Sequence, residues 1–189
     1  APASQAIPLA ARSCSCHDVA VHEVDPADEL VDVVDEHDQV IDTVTRAEMR
    51  RRRLRHRCTY VVVRTSDGGV LVHRRSEDKD LWPGAWDLAV GGVVTSGEDW
   101  ERAARRELAE EVGVADVELE PIGAGAYSDD HVDEVARMWT VTWDGPVTFA
   151  DGEVVEAHVV TLDELRARLD RDRFVPDSRA LLADHLLGE

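Results

Sequence analysis

The chain of 189 residues contains few cysteines, few aromatic residues and no long apolar run. Its three cysteines cannot form a disulfide framework, and their odd number favours a reducing, cytoplasmic compartment with Cys58 as a small core residue. Cys14 and Cys16 lack the spacing and the second ligand pair of a zinc clip. No apolar run approaches the ~20 residues of a membrane helix, and no charged start precedes an apolar stretch. We therefore expect neither a membrane partner nor a secretory signal.

Basic residues are also scarce, since 40 Asp and Glu face 21 Lys and Arg for a formal net charge of −19. Such a surface repels nucleic acid and anionic membranes, so we expect no nucleic-acid partner. An anionic small molecule would need a local basic cluster or a bridging cation. The densest basic run, residues 50–57, is interpreted as a helix face that pairs with nearby carboxylates rather than as a nucleic-acid patch.

The pattern along the chain divides it into two parts. Residues 1–28 lack periodicity and are predicted to form a flexible N-terminal extension, followed by one domain at 29–189. Strands alternate with helices without a regular βαβ rhythm, which indicates an α+β fold. The predicted strands are 30–34 and 40–44 (a β-hairpin), 59–64, 70–73, 86–90, 117–123, 136–143 and 154–160, and the predicted helices are 46–54, 99–112, 162–169 and 177–187.

One helix carries an unusual set of acidic residues. At about 100° per residue, Glu107, Glu110 and Glu111 lie within one sector of the helix predicted at 99–112. Neighbouring carboxylates repel one another, and no lysine relieves them here. Oxygen-rich clusters of this kind bind Mg²⁺ or Mn²⁺, although a solvated acidic face is the alternative.

The ends of this helix have recognisable signals. Thr95 with Glu98, and Ser96 with Asp99, each match a capping box, so the helix is predicted to begin beside these residues. Gly113 suits the left-handed conformation that follows a helix.

The spacing around the three glutamates carries a family resemblance. Gly92, five residues, Glu98, seven residues and then the segment 106–114, Arg-Glu-Leu-Ala-Glu-Glu-Val-Gly-Val, resemble the Nudix box at every position. By this resemblance the chain is identified as a member of the Nudix hydrolases. The resemblance implies an α/β/α sandwich with a mixed sheet and an N-terminal β-hairpin. It also implies metal-dependent hydrolysis of a diphosphate linkage in a nucleoside diphosphate derivative or a related diphosphate.

The resemblance also assigns roles to the box residues. Glu107, Glu110 and Glu111 would bind Mg²⁺ or Mn²⁺, and a backbone carbonyl at the Gly91–Gly92 turn, assigned to Gly92, would add a ligand. Arg106 and Glu98 would form the ion pair that holds the loop against the helix and orients Glu107. The cation explains how so acidic a protein accepts an anionic substrate.

Residues outside the box complete the predicted site. A glutamate on a later loop is the general base or a further metal ligand in many Nudix hydrolases, and Glu153 is favoured here. The other candidates for that role are Glu156, residues 129–131 and Glu134. Arg74, Arg75 and Lys79 are candidates for binding the substrate phosphates, with surface charge paired to Glu77 and Asp78 as the alternative.

The segments 73–76 and 79–87 resemble the branch of Nudix proteins related to isopentenyl-diphosphate isomerase. That isomerase has a cysteine and a histidine where this chain has Gly91 and Val93, and its box is degraded, so hydrolysis is favoured over isomerisation. His56 falls where the isomerase has a metal-binding histidine, but a single histidine beside arginines is typical of a structural role. A Nudix-fold sensor that binds nucleotide without turnover is the other alternative. The resemblance also makes a homodimer a possible assembly, and no motif identifies the substrate.

Overall fold

The computed structural model describes residues 5–6, 25–149 and 152–188. Of the predicted extension 1–28 it thus covers two short pieces, strand β1 (Gln5–Ala6) and a 3-10 helix at Pro26–Asp28. The remainder, including Cys14 and Cys16, lies outside the described residues, so the flexibility of the extension stays a prediction. In the described ranges, no helix is both long and apolar enough to cross a membrane.

Nine strands, all in one mixed sheet, and four α-helices make up the described part of the chain. The paired strands β4 and β8 are parallel, whereas β2 and β3, β5 and β9, and β7 and β8 pair antiparallel. After β1 the elements are β2 (Leu30–Val34), β3 (Val40–Thr45), α1 (Arg46–Arg52), β4 (His56–Arg64), β5 (Val70–Arg75), β6 (Trp86–Asp87), α2 (Trp100–Val112), β7 (Glu120–Ser128), β8 (Asp133–Thr142), β9 (Val154–Val160), α3 (Leu162–Arg171) and α4 (Pro176–Leu187).

The central strand β4 separates two hydrophobic cores, because successive side chains of a strand point to opposite faces of the sheet. On one face Val61 packs in the same core as Leu108 of α2. On the other face Val62 shares a core with Leu165 of α3 and Leu182 of α4. Helices therefore cover both faces of the sheet, which confirms the predicted α/β/α sandwich.

The predicted N-terminal hairpin is formed by β2 and β3. Its turn is fixed by Asp35, whose carboxylate accepts hydrogen bonds from the backbone N–H groups of His37 at 2.8 Å and Gln39 at 2.9 Å. A short polar side chain that bonds the backbone ahead of it is typical of such turns. The hairpin therefore has a local determinant that the sequence shows directly.

The helix α2 begins at a different cap from the predicted ones. Asp99 is the N-cap, and its side chain accepts the N–H of Arg102 at 3.0 Å. The hydroxyls predicted as caps bind the N-terminal segment instead: Thr95 donates to Glu29 and Ser96 to Asp32, both at 2.7 Å. The capping-box prediction is wrong because these hydroxyls have partners that are distant in sequence.

Several predicted strands differ from the observed ones. Those at 59–64 and 136–143 begin three residues earlier, as β4 and β8, and the one at 70–73 ends two residues later, as β5. The strand predicted at 86–90 ends after Asp87, whose carboxylate accepts the N–H of Leu88 at 2.8 Å. The strand predicted at 117–123 lies instead at 120–128, as β7. The small residues of β7 resemble a loop in the sequence, but they let α4 approach. A side chain at Gly125 would place its Cβ 2.7 Å from a methyl carbon of Leu181.

Candidate active site

The three box glutamates differ in their exposure along α2. Glu111 is buried, the side chain of Glu107 is 14% exposed, and that of Glu110 is 58% exposed. The helix ends at Gly113, which adopts φ +70° and whose N–H bonds the Ala109 carbonyl. Two of the three carboxylates are thus withdrawn from water, which is costly for an ionised group without compensation.

Arg106 connects the box glutamates to the preceding loop. Its guanidinium donates to Glu98 at 3.0 and 3.2 Å, to Glu107 at 2.7 Å and to Glu110 at 3.2 Å. Burial acts to lower the pKa of Arg106, but the carboxylates of Glu98 and Glu107 outweigh it and raise that pKa. One cation therefore orients three carboxylates while leaving Glu111 outside its contacts.

Glu111 retains an uncompensated acceptor. Its Oε2 atom is buried and has no hydrogen-bond partner. Burial, reinforced by the neighbouring Glu107 carboxylate, raises the pKa of Glu111 well above its ordinary value. Burial also raises the pKa of Glu107, although Arg106 opposes the effect. An orphaned oxygen among buried carboxylates fits a divalent cation, which would supply the missing positive charge.

Gly91, just before the box, and Gly92, its first residue, leave little room for side chains. A Cβ at Gly91 would lie 1.9 Å from the Thr59 carbonyl oxygen, and one at Gly92 would lie 2.8 Å from Glu107 Oε1. This backbone could not accept the cysteine that the isomerase carries at the position of Gly91. The Gly92 carbonyl, predicted as a metal ligand, accepts the N–H of Thr59 at 2.9 Å, so one of its lone pairs is already engaged.

The glutamates form one wall of a cavity of about 960 Å³. Of the three predicted phosphate contacts, Arg75 and Lys79 line this cavity and Arg74 does not. Neighbouring residues of β5 project to opposite sides of the strand, and Arg74 pairs instead with Glu156 at 3.2 Å and Glu77 at 3.7 Å. The prediction for Arg74 is therefore not supported by the geometry.

The candidates for the general base also differ in whether they line the cavity. Glu153, the favoured residue, lines the cavity and its carboxylate contacts the ammonium group of Lys79. Glu134 also lines it, at greater depth and with 2% exposure. Glu156 binds His158 and Arg74, and residues 129–131 lie away from the cavity lining.

Several residues that line the cavity were not predicted as site residues from the sequence. The basic run 50–57 was expected to pair with carboxylates, and Arg51 and Arg52 do contact Glu48. Arg50 also lies 3.9 Å from Asp80, and Arg46 lies 3.4 Å from Glu29, but both arginines in addition line the cavity together with Arg102 of α2. The i, i+4 spacing of Arg46 and Arg50 on α1 was the available signal, because it places both on one helix face.

Comparison with known proteins agrees with this geometry. The model of the NUDIX domain family matches residues 54–184. The uncharacterized Nudix hydrolase YfcD of Salmonella typhi is 41% identical over 155 residues, covering 82% of this chain and 83% of that protein.

Solved structures show the same fold. The crystal structure of DR0079 from Deinococcus radiodurans has a TM-score of 0.70 and 28% identity, covering 84% of this chain and 97% of that one. The NUDIX domain of Shewanella oneidensis NrtR, solved with ADP-ribose, has a TM-score of 0.58 and 18% identity, covering 75% and 97%.

Proposed function

The chain belongs to the Nudix hydrolase family, and from that membership we propose that it hydrolyses the diphosphate linkage of a nucleoside diphosphate derivative bound in the cavity beside α2. The observation that supports this most directly is the orphaned, buried Oε2 of Glu111 on the cavity wall. A merely solvated acidic face would leave its carboxylates in water, whereas Glu107 and Glu111 are withdrawn from it.

In this proposal the acidic wall holds the cofactor. Glu107, Glu110 and Glu111 would bind Mg²⁺ or Mn²⁺, which neutralises diphosphate oxygens and lowers the pKa of a bound water. Arg106 fixes the orientation of Glu107 and Glu110 through the contacts described above. Oxygen ligands favour these hard cations over softer ones.

Basic residues in the same cavity supply positive charge that the chain as a whole lacks. Arg46, Arg50, Arg75, Lys79 and Arg102 all line the cavity. Guanidinium groups suit phosphate because their planar N–H donors match its oxygens in pairs. The substrate phosphates would therefore contact these basic groups, with the diphosphate bridge facing the glutamates of α2.

Glu153 is assigned as the general base. A water oxygen attacks one phosphorus, the bridging P–O bond breaks, and the proton of the water passes to the Glu153 carboxylate. Lys79 contacts that carboxylate and lies on the same cavity wall, so it can orient the base and a phosphate oxygen together. Glu134, buried deeper and bonded to Tyr60, is less accessible to the attacking water.

The assay for this function is a substrate screen with Mg²⁺ or Mn²⁺. ADP-ribose is tested first, because a related domain binds it, followed by nucleotide sugars, dinucleotides, coenzyme A and nucleoside di- and triphosphates. Phosphatase-coupled phosphate release detects the phosphomonoester products of ADP-ribose, nucleotide sugars and dinucleotides. Chromatography of the products serves for coenzyme A and the nucleoside di- and triphosphates, which the phosphatase itself would attack. A positive substrate then serves for comparing variants.

Glu111→Gln is expected to lower kcat more than about 100-fold on that substrate, since the neutral amide lacks the negative charge with which the carboxylate holds a dication. Glu101→Gln is the matched control, because Glu101 lies on the same helix and pairs with Arg105. Circular dichroism verifies that both variants fold. Turnover by Glu111→Gln at the wild-type rate would contradict the proposal.

We also propose a reducing, cytoplasmic setting, supported by the free and buried thiol of Cys58. A homodimer stays a prediction from the family resemblance, and light scattering of the full chain tests it.

A further inference from the structure

A second polar cluster is buried where β4 and β8 run side by side. The parallel register pairs His56 with Glu134, and Cys58 follows His56 on the same face of β4. All three residues are at most 5% exposed. Ionisable groups at such depth require compensation by a partner of opposite charge or by hydrogen bonds.

The three side chains converge closely. One potential ligand atom from each lies within 4.8 Å of the other two, and within the described ranges no other group of three histidine, cysteine or acidic residues meets this criterion. The box glutamates therefore do not form so compact a group. The cluster combines a nitrogen, a sulfur and an oxygen donor, whereas the box offers oxygens only.

The histidine ring carries an unused acceptor. Its Nδ1 lies 2.9 Å from the Leu54 carbonyl oxygen, which can only accept, so Nδ1 bears the proton and donates. Burial lowers the pKa of His56 to about 4, and the ring is therefore neutral at pH 7. Its other nitrogen, Nε2, is left with a lone pair, buried and without any hydrogen-bond partner. A ring held by a carbonyl at one nitrogen is the arrangement that presents the other to a metal ion.

The remaining two donors carry the protons that a cation would replace. Glu134 accepts a hydrogen bond from the Tyr60 hydroxyl at 2.6 Å, which fixes its carboxyl group. A dication bound to a thiolate and a carboxylate leaves no net charge in this buried position. Binding therefore releases the Cys58 thiol proton, and that of Glu134 where it is protonated, to solvent.

From this geometry we propose that His56, Cys58 and Glu134 form a second metal site, distinct from the box glutamates, that binds Zn²⁺ or a cation of similar softness. Thiolate and imidazole ligands select such cations over Mg²⁺. Cys58 and Glu134 line the same cavity as the box, whereas His56 does not, so a cation would approach the site from the side of Cys58 and Glu134. The site does not depend on the proposed hydrolase activity.

Cobalt substitution and metal analysis test the site. The full chain is stripped with chelator, equilibrated with Zn²⁺ or Co²⁺ in the presence of excess Mg²⁺, and freed of unbound metal. About one equivalent of tightly bound metal is expected, with a thiolate-to-cobalt charge-transfer band in the Co²⁺ form. Cys58→Ser is expected to abolish the band, and Cys58→Ser and Glu134→Gln are each expected to weaken Zn²⁺ binding more than about 100-fold.

Two controls separate this site from the rest of the protein. Tyr60→Phe removes the hydrogen bond to Glu134 without removing a ligand, and Glu111→Gln alters only the box; both are expected to keep the cobalt band. Two results would overturn the proposal: no band in the wild type, or a band retained in Cys58→Ser. Because Mg²⁺-dependent turnover of the zinc-free chain is measured separately, a failed hydrolase assay leaves this test intact.

Discussion

At the scale of single residues, two neighbours on α1 have different environments. Arg50 lines the cavity, and its Nε atom is buried without a hydrogen-bond partner, 3.9 Å from Asp80. Arg51 points away, with its side chain 72% exposed and 3.8 Å from Glu48. A partly buried guanidinium whose Nε lacks a hydrogen-bond partner is a strong candidate for binding an anion.

Arg50→Ala is therefore expected to raise KM for the diphosphate substrate about 10-fold or more while changing kcat little, since a charge-assisted hydrogen bond contributes about 1.5–3 kcal/mol. Arg51→Ala is the matched control and should leave KM unchanged. Steady-state kinetics on the substrate found in the screen decide the matter. An equal effect of the two substitutions would show that the cavity position of Arg50 has no role in binding.

Asp177 makes stability depend on pH. Burial, with a contribution from the Glu134 carboxylate, raises its pKa from 3.8 to about 7. The folded state thus holds this proton more tightly than the unfolded state. The stabilising contribution of the protonated group is complete below pH about 4 and is lost as pH rises to about 7.

Asp177→Asn keeps the oxygen that accepts the Ser178 N–H but carries no charge. We expect this variant to be more stable than the wild type at pH 8, by up to about 4 kcal/mol, with the difference shrinking towards pH 4. Urea unfolding at several pH values, in EDTA, measures it. A stability difference that stays constant with pH would exclude Asp177 as the titrating group.

At the scale of elements, the sequence predicted those parts that local chemistry determines. The hairpin, the helix α2 up to Gly113 and the strand β9 have clear periodicity and turn or cap residues, and the box spacing located the glutamates on one helix. Contacts between residues that are distant in sequence determine the start of α2 and the position of β7. Thr95 and Ser96 bind the N-terminal hairpin instead of capping α2, and the position of β7 depends on its fit against α4.

The Gly91–Gly92 turn packs directly against β4. A substitution at Gly91 tests how closely the two segments are in contact. Gly91→Ala would bring its Cβ to 1.9 Å from the Thr59 carbonyl oxygen, so the loop must shift. Overpacking of this kind costs about 1–3 kcal/mol, and a displaced Gly92 would also disturb Glu107. We expect a lower melting temperature together with reduced kcat.

Ala89→Gly, in the same segment, removes a buried methyl group and is also expected to lower the melting temperature. Because it adds no volume against Thr59, it should leave kcat unchanged, so a loss of kcat in Gly91→Ala alone reports the displaced turn. A Gly91→Ala protein with normal stability and turnover would mean that the loop accommodates a side chain, so steric exclusion of a cysteine at this position would no longer distinguish the chain from the isomerase.

At the scale of the whole molecule, negative charge is in excess. The net charge of −19 makes the surface repulsive to anions, and even the cavity is lined by ten acidic side chains beside six basic ones. The same excess of negative charge opposes compactness, because like charges are closer together in the folded chain than in the unfolded one.

Salt should therefore stabilise this protein at neutral pH. At 0.1 M ionic strength charges more than about 10 Å apart are screened, so repulsion across the surface weakens while short ion pairs such as Arg106–Glu98 persist. We expect the melting temperature at pH 7 to rise by about 2–4 °C between low salt and 0.3 M NaCl, equivalent to about 1 kcal/mol. At pH 5, close to the sequence pI of about 4.7, the net charge is small and the same addition should have little effect. Equal stabilisation at the two pH values would assign the effect to the salt itself and not to relief of the repulsion.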